Sequence, residues 1–140
     1  MQTVRSILLL LVVVSVIACG GGGGGGAPSS PTADTIPPTI SNLRVQPSLL
    51  TVGSSATIQA TVVDDRSGVA TVLAVITYPD NRQESIGLSL TQGVYQGTFA
   101  AQWDGRAGRI RVRLRAADQA GNTAERETTV NAAGTPPPPP

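Results

Sequence analysis

The alternation of apolar and polar residues between positions 39 and 131 constrains this chain more than any other feature. It is strictest in residues 109–117, where arginines occupy every second position and aliphatic side chains lie between them. A period of two places successive side chains on opposite faces of an extended strand. No apolar period of 3.6 residues is sustained, so the pattern disfavours helices and predicts an all-β domain.

Turn-forming residues recur about every ten positions and divide this region into seven predicted strands. The strands are predicted at residues 39–45, 56–63, 69–78, 83–90, 94–100, 109–117 and 123–130. This number of short strands in about ninety residues predicts a seven-stranded antiparallel β-sandwich of the immunoglobulin or fibronectin III plan.

Four segments resemble the loop signatures of bacterial immunoglobulin-like domains. They are residues 36–43 (IPPTISNL), 64–69 (DDRSGV), 93–95 (GVY) and 116–124 (AADQAGNTA). The resemblance implies an immunoglobulin-like sandwich at residues 37–132, used as a spacer or adhesive module on secreted and surface proteins. The chain departs from the pattern at Ile110, where such domains often carry an aromatic residue.

An export signal is predicted before this domain. Arg5 is the only charged residue before Asp34, and it precedes an apolar run at residues 7–17 that only Ser15 interrupts. As a helix this run would span about 16 Å, roughly half of a bilayer's hydrocarbon core. A charged start, a short apolar run and a small residue before a cleavage point are typical of a signal peptide.

The motif Val16-Ile17-Ala18-Cys19 resembles the lipobox of bacterial lipoproteins. The resemblance implies that residues 1–18 are removed and that Cys19 carries covalent lipid, which makes the membrane a partner. Two or more acyl chains are enough for stable anchoring. Gly20 after the cysteine, by resemblance to lipoprotein sorting, implies the outer membrane or cell surface. The alternative is an incidental cysteine in an ordinary signal or membrane segment.

Low-complexity segments flank the predicted domain. Residues 19–36 begin with Cys19, the expected lipidation site, and a run of seven glycines and continue with Pro, Ser and Thr, which predicts a disordered tether. Random-coil scaling gives such a tether a root-mean-square span of about 23 Å. Residues 133–140 form a Pro-rich tail that ends in five prolines. We expect a plain tail; a ligand for a Pro-binding module is the alternative.

Composition excludes several kinds of chemistry. The chain has no histidine and one cysteine, so it lacks His-based acid–base catalysis, an internal disulfide and the usual zinc ligands. Without Arg5 the formal side-chain charge is zero, because nine arginines face nine acidic residues. We therefore expect a non-enzymatic protein that does not bind nucleic acid.

Arg109 and Arg111 are candidate contacts for an anionic ligand, such as an acidic glycan. They share one face of the strand predicted at residues 109–117. The competing interpretation is a solvated face that is neutralised by its neighbour. If residues 118–122 form a hairpin loop, Arg113 lies opposite Glu127 and Arg115 opposite Glu125. That register leaves Arg126 on the inward side, which requires a bulge or an edge position.

Trp103 lies in a predicted loop, where it could contact a sugar. We expect instead that it covers the end of an aromatic-poor core and is buried. Its exposure therefore discriminates between a carbohydrate-binding module and other functions.

Asp64, Asp65, Asp118 and Asn122 form a candidate calcium site. In an immunoglobulin-like fold their two loops lie at the same end, which the entry segment with Asp34 also reaches. Ca²⁺ takes six to eight oxygen ligands, more than these residues supply. We therefore favour ordinary turn chemistry, in which Asp and Asn accept backbone N–H bonds, and expect no other cofactor.

The function predicted from these observations is a lipid-anchored binding, adhesion or spacer module at the bacterial cell envelope. Its partner would be an envelope protein or a glycan. The alternatives are a carbohydrate-binding module and a calcium-stabilised surface domain.

Overall fold

The computed structural model describes residues 33–136, and all regular structure in that range is β-strand. The prediction of an all-β domain is confirmed. The nine strands are β1 (Thr39–Gln46), β2 (Leu49–Leu50), β3 (Ser55–Val63), β4 (Val69–Thr77), β5 (Gln83–Gly87), β6 (Ser89–Thr91), β7 (Val94–Ala100), β8 (Gly108–Asp118) and β9 (Thr123–Ala132).

The strands form two sheets. The four-stranded sheet has the order β1-β3-β7-β6, and the five-stranded sheet has the order β2-β9-β8-β4-β5. Every strand pair is antiparallel except β2 and β9, which run parallel. The prediction of seven antiparallel strands is therefore wrong in two respects: there are nine strands, and β2 and β9 pair in parallel.

The extra strands arise because the chain changes sheets at two edges. After β1 it passes Pro47, which cannot donate to a ladder, and then pairs with β9 as β2. The single strand predicted at residues 83–90 is divided between the sheets, because β5 pairs with β4 whereas β6 pairs with β7.

Gly97 permits the second crossing. A Cβ atom at Gly97 would lie 3.1 Å from the Gly87 carbonyl oxygen and 3.4 Å from Leu88. A side chain there would therefore push the two sheets apart where the chain moves between them. Just before the crossing, the Leu88 N–H donates to the Val72 carbonyl of β4, in the five-stranded sheet, at 2.8 Å.

One hydrophobic core lies between the sheets, and both contribute to it. The strict alternation in β8 is confirmed, since all four of its aliphatic residues from Ile110 to Ala116 are fully buried. The largest fully buried side chains are Leu50, Ile58, Ile76, Ile110, Leu114 and Val112.

Arg126 occupies the inward side of β9, opposite Leu114, and the predicted hairpin register is confirmed. No bulge is present in this pairing; the edge position is the explanation, because β2 covers only Asn131 and Ala132 of β9. The exposed Arg126 side chain donates from Nη1 to the Ile40 carbonyl of β1 at 2.9 Å. The guanidinium thus links the two sheets at their open edge.

Within the described range no helix is long and apolar enough to cross a membrane. The predicted signal peptide, Cys19, most of the linker and the last four prolines lie outside the described residues.

Truncating a core leucine and an exposed leucine should give very different losses of stability. Leu114→Ala, at a fully buried position, should lower the free energy of unfolding by about 2–5 kcal/mol, because it removes packed methyl groups and leaves a cavity. Leu90→Ala, at a side chain that is 60% exposed, should change it by about 0.5 kcal/mol or less. Urea denaturation measures both, and equal losses would contradict the core assignment.

Candidate functional site

Three carboxylates converge at one end of the domain. Asp34 comes from the entry segment, Asp64 from the loop between β3 and β4, and Asp118 from the end of β8. One oxygen of each lies within 4.8 Å of the others. We call these three residues the aspartate cluster. Asp118 is buried and the other two are half-buried.

Asp64 organises its own loop. Its Oδ1 accepts hydrogen bonds from the Gly68 N–H at 2.6 Å, the Arg66 N–H at 3.2 Å and the Ser67 hydroxyl at 3.3 Å. Gly68 has a φ of 81°, a conformation that glycine adopts without strain. The carboxylate therefore closes the turn that leads into β4.

Asp118 and Asn122 close the loop between β8 and β9. Oδ1 of Asp118 accepts the Asn122 N–H at 2.8 Å, and Oδ2 accepts the Asn122 side-chain amide, also at 2.8 Å. The same amide nitrogen donates to the Asp34 carbonyl at 3.1 Å. Asn122 thus connects the loop to the entry segment.

Asp34 joins the entry segment to the Asp64 loop. Its Oδ1 accepts the Ile36 N–H at 3.0 Å, and its Oδ2 accepts the Ser67 N–H at 3.2 Å. Across the described part of the chain, no buried side-chain nitrogen or oxygen lacks a hydrogen-bond partner. Internal donors therefore satisfy the buried polar atoms of the cluster.

The hydrogen bonds favour the ionised carboxylates. The Ile36 N–H, followed by the bonds from Ser67, holds the pKa of Asp34 below its ordinary value. Burial raises the pKa of Asp118, but hydrogen bonds from the Asn122 side chain and from the backbone of residues 120–122 together outweigh it and leave that pKa lowered. Two charged carboxylates therefore lie close to Asp64 at neutral pH.

The structure brings together Asp64, Asp118 and Asn122 of the predicted calcium set, and Asp34 with them. Asp65 is exposed and is not a member of the cluster. Carboxylate oxygens are suitable Ca²⁺ ligands, but three of them fall short of the usual six to eight. The hydrogen bonds of the cluster are those expected of ordinary turns.

Trp103 is buried at 5% exposure, as expected. Its ring stacks on Tyr78 with a centroid separation of 6.1 Å, and its Nε1 donates to the Arg106 carbonyl at 2.9 Å. Burial raises the pKa of Tyr78, and its hydrogen bond to Glu84 adds to this rise. A sugar has no access to the face of Trp103, so the stacking platform required by that carbohydrate hypothesis is missing.

The arginines of β8 lie on the exposed face of the five-stranded sheet. Arg115 pairs with Glu125 at 4.0 Å, as the register suggests, but Glu127 pairs with Arg111 at 3.2 Å and not with Arg113 directly opposite. Diagonal neighbours across two strands are within reach of long side chains. Arg109 lies opposite the neutral Asn131.

No protein-family model matches this chain, and no curated protein matches it. Among solved structures, it is similar to the Pseudomonas fluorescens alkylpurine DNA glycosylase AlkC bound to DNA containing an abasic site analog. The TM-score is 0.52 and the sequence identity is 15%, over 69% of this chain and 30% of that chain. The match thus spans less than a third of the glycosylase, and at this identity it shows a shared fold alone.

Removing the side-chain amide of Asn122 should change how stability depends on pH. The lowered pKa of Asp118 means that its ionised form stabilises the fold above the ordinary pKa of 3.8. This contribution is lost as the pH falls through the lower folded pKa. Asn122→Ala should raise the pKa of Asp118 in the folded state and reduce the stability of the domain at pH 7. Because less stabilisation then depends on ionised Asp118, stability should fall less steeply as the pH is lowered. Urea unfolding between about pH 2 and 7 measures the effect, with Asn131→Ala as the control; an unchanged slope would contradict it.

Proposed function

We propose that this chain is an exported bacterial lipoprotein, cleaved before Cys19 and held at the outer membrane or cell surface by lipid on that residue. It presents residues 37–132 as a non-enzymatic module for binding, adhesion or spacing. The observation that carries the proposal is the lipobox-like motif, in which the sole cysteine directly follows an apolar run and a small residue.

The sheet orders support an immunoglobulin-like module. The plan of that fold places strands A, B, E and D in one sheet and C, F and G in the other. Here β1-β3-β7-β6 matches the first set in order, and β9-β8-β4 matches the second. On this assignment β2 and β5 are additional edge strands, produced where the chain changes sheets.

A spacer or binding module also agrees with how the chain enters the domain. The predicted tether leads to Asp34, which is hydrogen-bonded to the loops at one end of the sandwich. A tether of about 23 Å lets an anchored domain reorient over the membrane. Because the chain enters at one end of the sandwich, the opposite end stays available to a partner.

A calcium-stabilised surface domain is the second candidate. The convergence of the aspartate cluster favours it, because lowered pKa values keep at least two of its carboxylates charged. A divalent cation would offset the repulsion between them. Water molecules and backbone carbonyls would have to supply the remaining ligands.

Replacing the proposed lipidation site should release the protein from the membrane. In a bacterial host, Cys19→Ser should shift the domain from the membrane fraction to the soluble fraction or leave an uncleaved precursor, because no lipid is attached. Ser15→Ala, a change within the apolar run, is the matched control and should leave fractionation unchanged. Fractionation and intact-mass spectrometry measure the outcome; full membrane retention of Cys19→Ser with normal cleavage would contradict the anchor.

Calcium should raise the melting temperature if the second candidate is right. With Ca²⁺ at about 1 mM, a concentration suited to extracellular modules, the unaltered domain should melt several degrees higher than in chelator. Asp64→Asn should abolish the increase, since it removes a clustered charge and keeps an acceptor oxygen for the turn. Asp65→Asn, outside the cluster, should retain it. No calcium-dependent change in the unaltered domain would exclude this candidate.

A further inference from the structure

A groove of about 450 Å³ lies at the opposite end of β8 from the aspartate cluster. One wall is the turn between β4 and β5, with Pro79 and Asn81, and the other is the loop that leads into β8, with Arg106. Arg109 and Arg111 of β8 also line it. We call this feature the arginine groove.

Contacts between the turn and the loop join the two walls of the arginine groove. The Asp104 N–H of one wall donates to Oδ2 of Asp80 in the other at 3.1 Å. In addition, Trp103, next to Asp104, stacks on Tyr78, next to Pro79. The groove is therefore organised by buried and hydrogen-bonded groups, although its lining is accessible.

Gly108 allows the walls to approach each other. A Cβ atom at Gly108 would lie 2.9 Å from Cβ of Pro79, which is closer than real side chains pack. Because β4 ends at Thr77, opposite Arg111, the first residues of β8 extend past it. Arg109 therefore lies beyond the end of the β4–β8 pairing and lines the groove there.

The three guanidinium groups of the groove are not equivalent. Arg106 is paired with Asp104 at 2.6 Å, and Arg111 is paired with Glu127 at 3.2 Å. The hydrogen bond from Arg106 lowers the pKa of Asp104 and keeps that pair charged. Among the groove residues that the structure describes, Arg109 is the guanidinium without a carboxylate within ion-pair distance.

We propose that the arginine groove binds carboxylate groups of an acidic polysaccharide, with Arg109 as the principal contact. A guanidinium presents its N–H donors in a planar fork that matches a carboxylate. Thr77, Thr129 and Asn81 line the same groove, and hydroxyl and amide groups are suitable partners for sugar hydroxyls. The volume lies within the usual range of small-ligand sites.

The lining of the groove favours a polysaccharide over an anionic membrane surface, because two threonines and an asparagine accompany the one guanidinium of the described groove residues that has no ion-pair partner. The eleven residues of β8 separate the groove from the cluster where the chain enters, a distance of about 33 Å. The groove therefore lies at the end of the domain opposite to the residues through which the chain enters it. The use of the groove at the cell envelope rests on the proposed function, whereas binding by the groove does not.

The test uses the purified full chain in detergent and isothermal titration calorimetry with oligogalacturonate. Its neutral methyl ester is the matched ligand control. The acidic oligomer should bind saturably and the ester should not. Arg109→Gln should weaken binding about tenfold, the loss expected for one charge-assisted pair. Arg113→Gln removes the same charge from the same face of β8, outside the groove, and should change affinity by about twofold or less.

Three results would overturn the proposal. The first is no saturable binding of the oligomer below about 10 mM. The second is an equal loss in Arg109→Gln and Arg113→Gln, which would indicate diffuse attraction to the arginine face. The third is Arg109-dependent binding to vesicles of anionic lipid without binding to the oligomer. Each result is independent of whether Cys19→Ser releases the protein. The proposal about the groove and the proposal about the anchor can therefore be contradicted separately.

Discussion

The burial of one face of β8 is the constraint on which the rest of the structure depends. β8 is the central strand of the five-stranded sheet, and its four aliphatic side chains are fully excluded from solvent. A slip of one residue in its register would place the arginines in the core and the aliphatic residues in water. Because the cost of burying unpaired guanidinium groups is large, this strand has only one acceptable orientation.

That orientation also determines where the polar groups of the domain gather. One end of β8 brings Asp118 to the entry segment and the Asp64 loop, while the other carries Arg109 past the end of β4. The aspartate cluster satisfies itself through internal hydrogen bonds, so it stabilises loops whether or not a cation binds. The arginine groove leaves one guanidinium unpaired on an organised surface, and this makes it the stronger candidate for a ligand.

The sequence could predict much of the fold because the informative pattern is local. Alternation identified the faces of each strand, and the register between β8 and β9 followed once residues 118–122 were taken as a hairpin loop. The division of residues 83–90 between two sheets was missed, since it requires the close approach of Gly97 to Gly87, two residues that are adjacent only in space. The position of Glu127 opposite Arg113 was predicted correctly. Its ion pair is with Arg111 instead, because long side chains can contact a diagonal neighbour on the adjacent strand.

The features of the candidate sites also divide into those that the sequence could predict and those that depend on the tertiary structure. By itself the sequence determined the strand faces, the buried side of β8, the lack of histidine chemistry and the lipobox-like motif, because each depends on neighbouring residues or on composition. Only the tertiary structure decided that Asp65 lies outside the cluster, that the partner of Trp103 is Tyr78, and that Arg109 lines a groove. These outcomes depend on contacts between loops from distant parts of the chain. The spacing of residues along a single strand carries no information about those contacts.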